Sequence, residues 1–381
     1  MNSDRSVVLL FTDWYYPGYK AGGPIQSCVN LVHAMSAAYQ FYVITSDRDL
    51  DSEHPYEQVP INQWITGAFG EQVFYASPGT ITRQWLKQLF EQYPGCRIYL
   101  NSMFSFPFTL LPLLVLRSFR NQKIILAPRG MLHPGALGLK SVKKKIFLIL
   151  FRWMGWPKRI VFQATTEEEV GYIKQHFPGA EIRVVGNIPA FREKRPDTLS
   201  KSPGELKLLF LGRLHPTKNL DYVLDLLKQN RKGQIELHLV GEPGPSGYVE
   251  KCREIIKELP PNVQVREYGS LPQQESFEKM LEAHALVLPS RGENFGHAIF
   301  EALISGKPVL ISDRTPWRKL ETQQAGWDLP LEHPEQFAVA IGRLLEMDQE
   351  TYDQWSEGAY RLANNYFGNA AYNTNYRELF T

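Results

Sequence analysis

The feature that most constrains the fold is a repeated alternation along the chain. Short runs of β-branched and aromatic residues alternate with longer segments of helical or loop character. In the first half these runs are VVLLFTD, FYVITSD, VFYAS, RIYLNS, KIILAP, VFQAT and RVVGN. The second half repeats the pattern with LKLLFLG, IELHLVG, VQVREYG, ALVLPS and PVLISD. The alternation predicts two α/β domains, each with a parallel sheet flanked by helices.

A polar segment, FREKRPDTLSKSPGE, follows Ala190 and has the composition of an exposed linker. A chain of 381 residues is long enough for two domains with separate cores. We predict an N-terminal domain over 1–190, a linker over 191–205, a C-terminal domain over 206–350 and a helical tail over 351–381 that packs back across the domains. The tail places five residues on one helical face, namely Tyr352, Trp355, Ala359, Leu362 and Tyr366.

Composition excludes several classes of protein. A net charge of +2 is too small for a typical nucleic-acid-binding protein. The three cysteines lie far apart and resemble buried thiols in a reducing compartment. The early apolar run, Val7 to Phe11, is too short for the core of a signal peptide, and the segment Phe104 to Phe119 reads as a buried helix rather than a membrane span. These features predict a cytoplasmic location.

Two strand exits in the second half carry charged residues. GRLHPTKNL places Gly212, Arg213 and Lys218 between a strand and a helix, where a parallel sheet delivers cations to phosphate oxygens. A guanidinium binds two oxygens at once and an ammonium adds a compact charge. For these three residues alone, a solvated strand exit remains an equal alternative.

The second exit, LPSRGENFGHAIFEAL, leads through Gly296 into an apolar helix whose amino-terminal dipole favours an anion. Glu293 precedes this helix, and Glu301 lies about 12 Å further on at roughly 1.5 Å per residue. This separation suits two carboxylates that bind different hydroxyls of one extended molecule. The apolar neighbours of Glu301 would make its desolvation costly. The alternative is that Glu293 is a solvated loop acid and Glu301 pairs with a buried cation.

These residues carry a family resemblance. Two glutamates with seven residues between them resemble the paired-glutamate signature of retaining glycosyltransferases with the GT-B fold. GENFGHAIFEALISGKPVLISD and GRLHPTKNL resemble glycosyltransferase family 4, especially bacterial enzymes that build O-antigen and exopolysaccharide chains, and TDWYYPGYKAGGPIQS is similar to the glycine loop near their amino terminus. The resemblance implies two Rossmann-like, doubly wound domains that face a cleft.

The resemblance also implies roles for residues of the second half. Glu301 would bind the ribose hydroxyls of a nucleotide sugar. Glu293 would bind the hydroxyls of the transferred sugar, together with the amides near Asn294, Phe295 and Gly296. Arg213 and Lys218 would neutralise the diphosphate, beside Gly212.

The first half supplies further candidates. Gly22 and Gly23 in AGGPIQS would let a ligand approach the backbone, although a simple tight turn is the alternative. Family 4 enzymes commonly place a histidine near the transferred sugar after the strand that ends in LAP. Here Arg129 occupies the nearest equivalent position and His133 follows it. Either residue is a catalytic candidate, or simply orders the loop.

One motif points to a metal-dependent alternative. SDRDLD supplies Asp47 and Asp49 with the DxD spacing that other glycosyltransferases use to bind a divalent cation. Acidic pairs after strands are also common as solvated side chains. The charged residues Arg213, Lys218, Glu293 and Glu301 already account for donor binding, so this pair is not needed as a metal site. The dispersed histidines lack the spacing of a zinc site. We therefore expect no metal and no cofactor beyond the nucleotide-sugar co-substrate.

A basic stretch from Leu139 to Arg159 mixes cations with large apolar residues. A helix of this composition can lie on an anionic membrane surface. The predicted membrane contacts are Lys143, Lys144, Lys145 and Arg152. The alternative is a core helix with a solvated basic end.

Together these features predict a metal-independent, retaining hexosyltransferase. It would transfer a hexose or N-acetylhexosamine from a nucleotide sugar, a UDP-sugar before a GDP-sugar, to a polyprenyl-linked or other glycan in bacterial O-antigen or exopolysaccharide synthesis. It would contact the inner face of the cytoplasmic membrane and would not bind nucleic acid. Two alternatives remain open, a nucleotide-sugar epimerase on a similar scaffold and a non-catalytic protein that binds nucleotide sugars or glycans.

Overall fold

The structure is a computed structural model that describes residues 5–133, 137, 141–190, 195–369 and 371–381. It divides into two compact units. The first comprises Met1–Ile188 with Ala371–Thr381, and the second comprises Pro189–Ala370. The division falls two residues before the predicted limit at residue 190, and it separates the predicted tail into two parts after residue 370.

In the described part of the first unit, eight strands form one sheet in the order β3-β4-β2-β1-β5-β6-β7-β8. The strands are β1 Ser6–Phe11, β2 Tyr39–Ser46, β3 Trp64–Thr66, β4 Gln72–Ala76, β5 Arg97–Leu100, β6 Lys123–Leu126, β7 Ile160–Ala164 and β8 Glu181–Val184. The α-helices are α1 Gly23–Met35, α2 Arg83–Gln92, α3 Leu111–Leu116, α4 Ser141–Trp153, α5 Glu167–His176 and, at the end of the chain, α12 Tyr372–Phe380. A π-helix spans Phe106–Leu110 and a short 3₁₀ helix spans Trp156–Lys158.

In the described part of the second unit, six parallel strands follow the order β11-β10-β9-β12-β13-β14. The strands are β9 Glu205–Leu211, β10 Gln234–Val240, β11 Val263–Gly269, β12 Ala285–Leu288, β13 Val309–Ser312 and β14 Gly326–Leu329. The helices are α6 Leu220–Lys228, α7 Ser246–Lys257, α8 Gln273–Glu282, α9 His297–Ile304, α10 Pro334–Glu346, α11 Gln349–Asn369 and a 3₁₀ helix over Glu321–Gln323. Numbered within the unit, this order is 3-2-1-4-5-6, the strand order of dinucleotide-binding folds.

The predicted fold class is confirmed, because each unit is a Rossmann-like layer of helices on a doubly wound sheet. The sequence did not predict β3 and β14. Strand β3 has three residues, none of them buried, and it pairs antiparallel to β4 at the sheet edge. Strand β14 begins at a glycine and has only two buried residues. Neither strand has the run of β-branched residues that marks the others.

The predicted helix over Phe104–Phe119 is wrong in form. A π-helix over Phe106–Leu110 leads into α3, and the Phe106 side chain is 61% exposed. Pro112 lacks the N–H that an α-helix would use to bond Phe108, and the amide of Leu111 instead donates to the carbonyl of Phe106. Most of α3 is buried in the core of the first unit, whereas Arg117 and Ser118 after it are exposed.

The predicted apolar face of the tail is confirmed within α11. Tyr352, Trp355 and Ala359 are buried in the core of the second unit, and Leu362 and Tyr366 pack against it. The Trp355 indole stacks on Trp327, with ring centroids 4.2 Å apart. No helix among the described residues is both long enough and apolar enough to cross a membrane.

All three cysteines are buried and free, as the sequence predicts. Burial raises the pKa of the Cys28 and Cys252 thiols to about 11 and that of Cys96 to about 12. The thiols therefore stay protonated at neutral pH and are weak nucleophiles.

Candidate functional site

Each sheet changes direction at one point, which we call its switch point. The first switch point lies between the carboxyl ends of β1 and β5, and the second lies between those of β9 and β12. At a switch point the two crossovers lie on opposite faces, so the loops diverge and leave a crevice where ligands bind. The predicted site residues of the second half all follow β9 or β12.

The second switch point joins Lys218 to Glu293. The Nζ atom of Lys218 donates to Oε1 of Glu293 at 2.6 Å, and the Ser290 hydroxyl donates to the same oxygen at 2.6 Å. The Glu293 side chain is only 10% exposed and that of Lys218 is 27% exposed. Glu293 is thus no solvated loop acid, since its charge is matched by a cation and a hydroxyl.

Backbone bonds fix these loops. The amide of Arg291 donates to the Thr217 carbonyl at 2.8 Å, which ties the loop after β12 to the loop after β9. The amide of Glu293 donates to the Arg314 carbonyl at 3.1 Å, which adds the loop after β13. The acid is therefore held on a rigid frame rather than on a free loop.

Close packing of the strand exits requires glycine at position 241. A Cβ added there would lie 2.0 Å from the carbonyl oxygen of Gly212 and 3.2 Å from the amide nitrogen of Arg213. In the turn that follows, the backbone amide of Lys218 donates a hydrogen bond to the carbonyl of His215 at 2.8 Å. Gly212, Arg213 and Lys218 thus share one compact turn, with the stem of Lys218 beside Gly212.

The potential at this turn is positive. Burial lowers the pKa of His215, and the nearby charges of Arg213 and Lys218 lower it further. A neutral imidazole beside two cations is the expected response to such a field. The turn therefore favours an anion, as the sequence predicts for a diphosphate.

Helix α9 begins after Gly296, as the sequence indicates. The loop before α9 is held against the core of the second unit. The indole N–H of Trp317 donates to the carbonyl of Phe295 at 2.7 Å, and the Phe295 ring is buried. Asn294 lies between Glu293 and Phe295 and is partly buried. The Phe295 ring is therefore part of the core of the second unit.

Glu301 lies in α9 beside apolar residues of the core, as the sequence suggests. Its neighbours Phe300 and Ala302 are buried, but Glu301 itself is partly exposed. A helix repeats every 3.6 residues, so adjacent residues in the sequence point in different directions. The predicted role of Glu301 therefore stays a prediction.

The first switch point is built differently, around Arg129. Its guanidinium donates to Asn101 Oδ1 at 2.8 Å, to Tyr99 Oη at 2.7 Å and to the side-chain oxygen of Asn187. The backbone of Arg129 has a φ of 54°, and the next amide, of Gly130, donates to Glu169 at 2.7 Å. Arg129 therefore has an organising role in this loop, whatever it contacts besides.

His133 does not share that network among its described contacts. Its ring packs edge-on to Tyr172, with centroids 5.2 Å apart, and its amide donates to Gly130. The sequence between residues 134 and 136 lies outside the described residues. His133 and Arg129 thus lie on the same loop with different surroundings.

The sequence analysis missed Asp13, which lies two residues after the end of β1. The Ser105 hydroxyl, from the loop after β5, donates to Asp13 Oδ1 at 2.6 Å. Burial raises the pKa of Asp13, and the bond from Ser105 offsets part of that rise. An acid at a strand exit was the available signal, the same one that drew attention to Asp47.

Asp47 and Asp49 have partners within the protein. Asp49 Oδ2 accepts bonds from the amides of Tyr19 at 2.7 Å and Lys20 at 3.1 Å, and Oδ1 accepts one from Leu50 at 2.7 Å. Asp47 pairs with the Arg48 guanidinium at 2.8 Å. Asp49 thus fixes the loop that ends at Gly22 and Gly23, the first residues of the α1 turn.

The predicted membrane residues lie on α4. Lys143, Lys145 and Arg152 are exposed, and Lys144 places its Nζ 5.3 Å from the centre of the Phe104 ring. Large apolar side chains are also exposed along this helix, and they are Val142, Ile146, Ile149, Leu150 and Trp153. Leu148 and Phe151 face the core instead. Positions 139 and 140 of the basic stretch lie outside the described residues.

Comparison with known proteins bears on this geometry. Residues 191–362 match the model of the family Glycosyl transferases group 1. The match contains the whole second switch point, from Gly212 to Glu301. This stretch of the chain therefore resembles that family, and we call residues 191–362 the glycosyltransferase domain after the matched model.

The chain also matches parts of two curated proteins. Over 142 residues the chain is 25% identical to D-inositol 3-phosphate glycosyltransferase from Rhodococcus erythropolis. The aligned region covers 36% of this chain and 32% of that protein. Over 181 residues it is 23% identical to an uncharacterized 41.2 kDa protein in the cps region of Klebsiella pneumoniae. This alignment covers 46% of this chain and 48% of that protein. The chain therefore matches less than half the length of either relative.

Solved structures extend the similarity in fold to both units. Sucrose-phosphate synthase from Thermosynechococcus elongatus superposes with a TM-score of 0.72 and 18% identity over 99% of each chain. Anabaena HepE in complex with UDP and glucose superposes with a TM-score of 0.69 and 15% identity over 98% of each chain. The fold is that of the GT-B glycosyltransferases.

Proposed function

We propose that the protein transfers a sugar from a nucleotide sugar to a glycan, with retention of configuration and without a metal ion. The observation that carries this proposal is the Lys218–Glu293 pair at the switch point of the glycosyltransferase domain. A cation and an acid held together on two strand exits offer one group to a diphosphate and the other to sugar hydroxyls.

Binding of the donor would rearrange this pair. Lys218 is partly exposed and has a flexible stem, so it can turn from Glu293 toward a diphosphate oxygen. The Ser290 hydroxyl would stay on Glu293 and hold its carboxylate for the hydroxyls of the sugar. Arg213 would provide a second cation from the same turn.

The chemistry needs charge stabilisation on the leaving diphosphate as the bond from the sugar breaks. Fixed cations and helix-terminal amides supply it without reorganisation. In our proposal an oxygen of the leaving phosphate accepts the proton of the attacking hydroxyl on the same face of the sugar, so configuration is retained. Asp47 and Asp49 have no part in this scheme, because their carboxylates serve Arg48 and the loop before α1.

Glu301 is proposed to bind the ribose hydroxyls. Its partial exposure on α9 supports this role, because a carboxylate at the surface loses less solvation on meeting a ligand than a fully buried one. UDP is favoured as the nucleotide because a structure with this fold, HepE, contains UDP and glucose. A GDP-sugar is the alternative donor.

The acceptor is proposed to be a lipid-linked glycan of a bacterial surface polysaccharide, in O-antigen or exopolysaccharide synthesis. A relative encoded in a cps region supports a polysaccharide context. The exposed cations and apolar residues of α4 support contact with an anionic membrane, where such an acceptor would lie. We propose a peripheral location on the inner face of the cytoplasmic membrane.

The experiment that tests the donor is thermal unfolding with UDP, GDP and their sugars. A ligand that binds only the folded protein raises its melting temperature. We expect UDP and UDP-sugars to stabilise the wild type. In Glu293→Gln a UDP-sugar should raise the melting temperature no more than UDP does, because the contact with the sugar is lost. The control Glu275→Gln, at an exposed position of α8, should keep the difference between the two ligands. If none of these nucleotides shifts the melting temperature, the proposal fails.

Turnover distinguishes the enzyme from its alternatives. Incubation with a UDP-sugar and a polyprenyl-diphosphate-linked saccharide should lengthen the saccharide. An epimerase would isomerise the donor without an acceptor, and a binding protein would change neither substrate. Either of those results would refute the proposed sugar transfer and favour the corresponding alternative.

A further inference from the structure

A cavity of about 330 Å³ opens on the first unit, away from both switch points. Its volume is near the lower limit of the roughly 300–1,000 Å³ typical of small-ligand sites. Arg117 and Arg120 precede β6 and Arg159 precedes β7, so the cavity lies at the amino ends of these strands. The residues that line it are Arg117, Arg120, Met154, Gly155, Trp156 and Arg159.

The cavity collects positive charge without an acid. No carboxylate lines it, and among the described residues none of the three arginines forms an ion pair. Burial lowers the pKa of Arg159, and the charge of Arg120 lowers it further. Three guanidinium groups around one space repel one another, and a bound anion would relieve that repulsion.

The arginines are supported by a buried indole. Trp156 is 4% exposed, and its ring lies 6.0 Å from the guanidinium carbon of Arg117 and 5.7 Å from that of Arg159. Arg159 also donates to the carbonyl of Phe119. Such contacts hold the guanidinium groups in place and reduce the ordering cost of binding a ligand.

The cavity adjoins the apolar face of α4. That helix ends at Trp153, whose side chain is 83% exposed, and the next two residues, Met154 and Gly155, line the cavity. The exposed residues Val142, Ile146, Ile149 and Trp153 recur at steps of three and four, which is one side of the helix. A surface that presents apolar side chains beside a cationic cavity matches a lipid bilayer with anionic headgroups.

We propose that this cavity binds the phosphate monoester headgroup of an anionic membrane lipid. A monoester carries up to two negative charges and three terminal oxygens, so it can accept paired bonds from more than one guanidinium. A phosphodiester has one charge and two free oxygens and would match three arginines less well. The inference extends the membrane contact of the proposed function and does not depend on sugar transfer.

The test compares vesicles with the same zeta potential, containing either phosphatidic acid or phosphatidylglycerol. Wild-type protein should bind phosphatidic acid vesicles more tightly. Arg117→Gln/Arg120→Gln should lose about thirtyfold in affinity for them, because each of the two removed cations contributes about 1 kcal/mol near an anionic surface and about 1.4 kcal/mol is tenfold. The variant should also no longer distinguish the two lipids. Both arginines are exposed, so unchanged thermal unfolding is expected for this variant.

The matched control is Arg83→Gln/Arg318→Gln, which removes the same charge from two exposed positions outside the cavity. It should keep the preference for phosphatidic acid within about twofold, since both sites lie outside the cavity. If the control and the cavity variant lose this preference equally, or if wild type binds both vesicles equally, the inference is overturned while the membrane contact of α4 stands.

Soluble ligands separate the remaining sources of phosphate. Calorimetry with dihexanoyl phosphatidic acid below its micelle concentration should show binding to wild type and not to Arg117→Gln/Arg120→Gln. Equal affinity for inorganic phosphate would assign the cavity to free phosphate and overturn the lipid. Binding of the soluble lipid without any vesicle binding would support the cavity and refute the membrane contact in the proposed function. Absence of binding by either soluble ligand would overturn the inference.

Discussion

The two switch points occupy equivalent places in similar sheets but are built from different chemistry. At the second, a flexible cation and a carboxylate pair directly, and both keep some contact with solvent. At the first, Arg129 donates to three neutral side-chain oxygens and Asp13 accepts from a serine. In our proposal the second exchanges its internal pair for a ligand, whereas the first is a fixed polar frame.

Replacing Arg129 tests that frame, and we expect the largest effect there. Arg129→Met would leave the oxygens of Tyr99, Asn101 and Asn187 without this donor, and each unmet buried acceptor costs about 1–3 kcal/mol. We expect the free energy of unfolding to fall by about 4 kcal/mol, measured by urea denaturation.

The control for this prediction is Arg183→Met on β8. Arg183 is exposed, and its one ion pair within the part of the chain that the structure describes is with the exposed Glu181, so its loss should cost less than about 1 kcal/mol. If Arg129→Met costs no more than the control, the first switch point is not the fixed frame that the bonds indicate.

The second prediction concerns the exchangeable pair. Lys218→Met should reduce sugar transfer by about a hundredfold, the effect of losing one fixed charge-stabilising group in an active site. Lys207→Met, at an exposed position on β9, should leave the rate unchanged. Initial rates at saturating donor provide the measurement. Equal rates for both variants would remove Lys218 from the chemistry.

The sequence predicted those features of the two regions that depend on residues close together in the chain, and it missed those that depend on residues far apart. The strands were predicted because their buried runs are local, and the second switch point was predicted because its glycines and charges follow strands directly. The bond between Lys218 and Glu293 was not, since the residues lie 75 positions apart and nothing local specifies their contact. The sequence suggested both groups but not their pairing.

The frame of the first switch point was less visible for a similar reason. Tyr99, Asn101 and Asn187 are neutral residues of common types, and only the folded sheet brings them around Arg129. Asp49 was noticed as a possible metal ligand because its spacing is local. Its actual partners, the amides of Tyr19 and Lys20, lie some thirty residues earlier.

The third prediction compares two glycines of the first unit. Gly22, before α1, and Gly79, in a turn after β4, have φ values of 62° and 86°, and a Cβ at either would contact nothing within 4 Å. Either alanine substitution should therefore lower the free energy of unfolding by about 1–2 kcal/mol through backbone strain alone.

Only Gly22→Ala should also reduce sugar transfer, if the loop before α1 approaches a substrate as proposed. Denaturation and initial rates measured on both variants separate the two effects. Equal loss of activity in Gly22→Ala and Gly79→Ala would show that the loop acts through stability and has no contact with the ligand.

The last prediction concerns the pH dependence of Asp13, the acid of the first switch point. Burial raises its pKa in the folded protein, so the folded state binds a proton more tightly than the unfolded state does. The stability that this proton contributes is present below the ordinary pKa and is lost as the pH rises through the raised value.

Asp13→Asn keeps an oxygen for the Ser105 hydroxyl and removes the charge. We therefore expect the variant to be more stable than wild type at pH 7, by about 1 kcal/mol at most because the side chain keeps partial contact with solvent, and equally stable near pH 3. Urea denaturation across this range measures the difference, and a difference that does not change with pH would mean that Asp13 carries no burial cost as an anion.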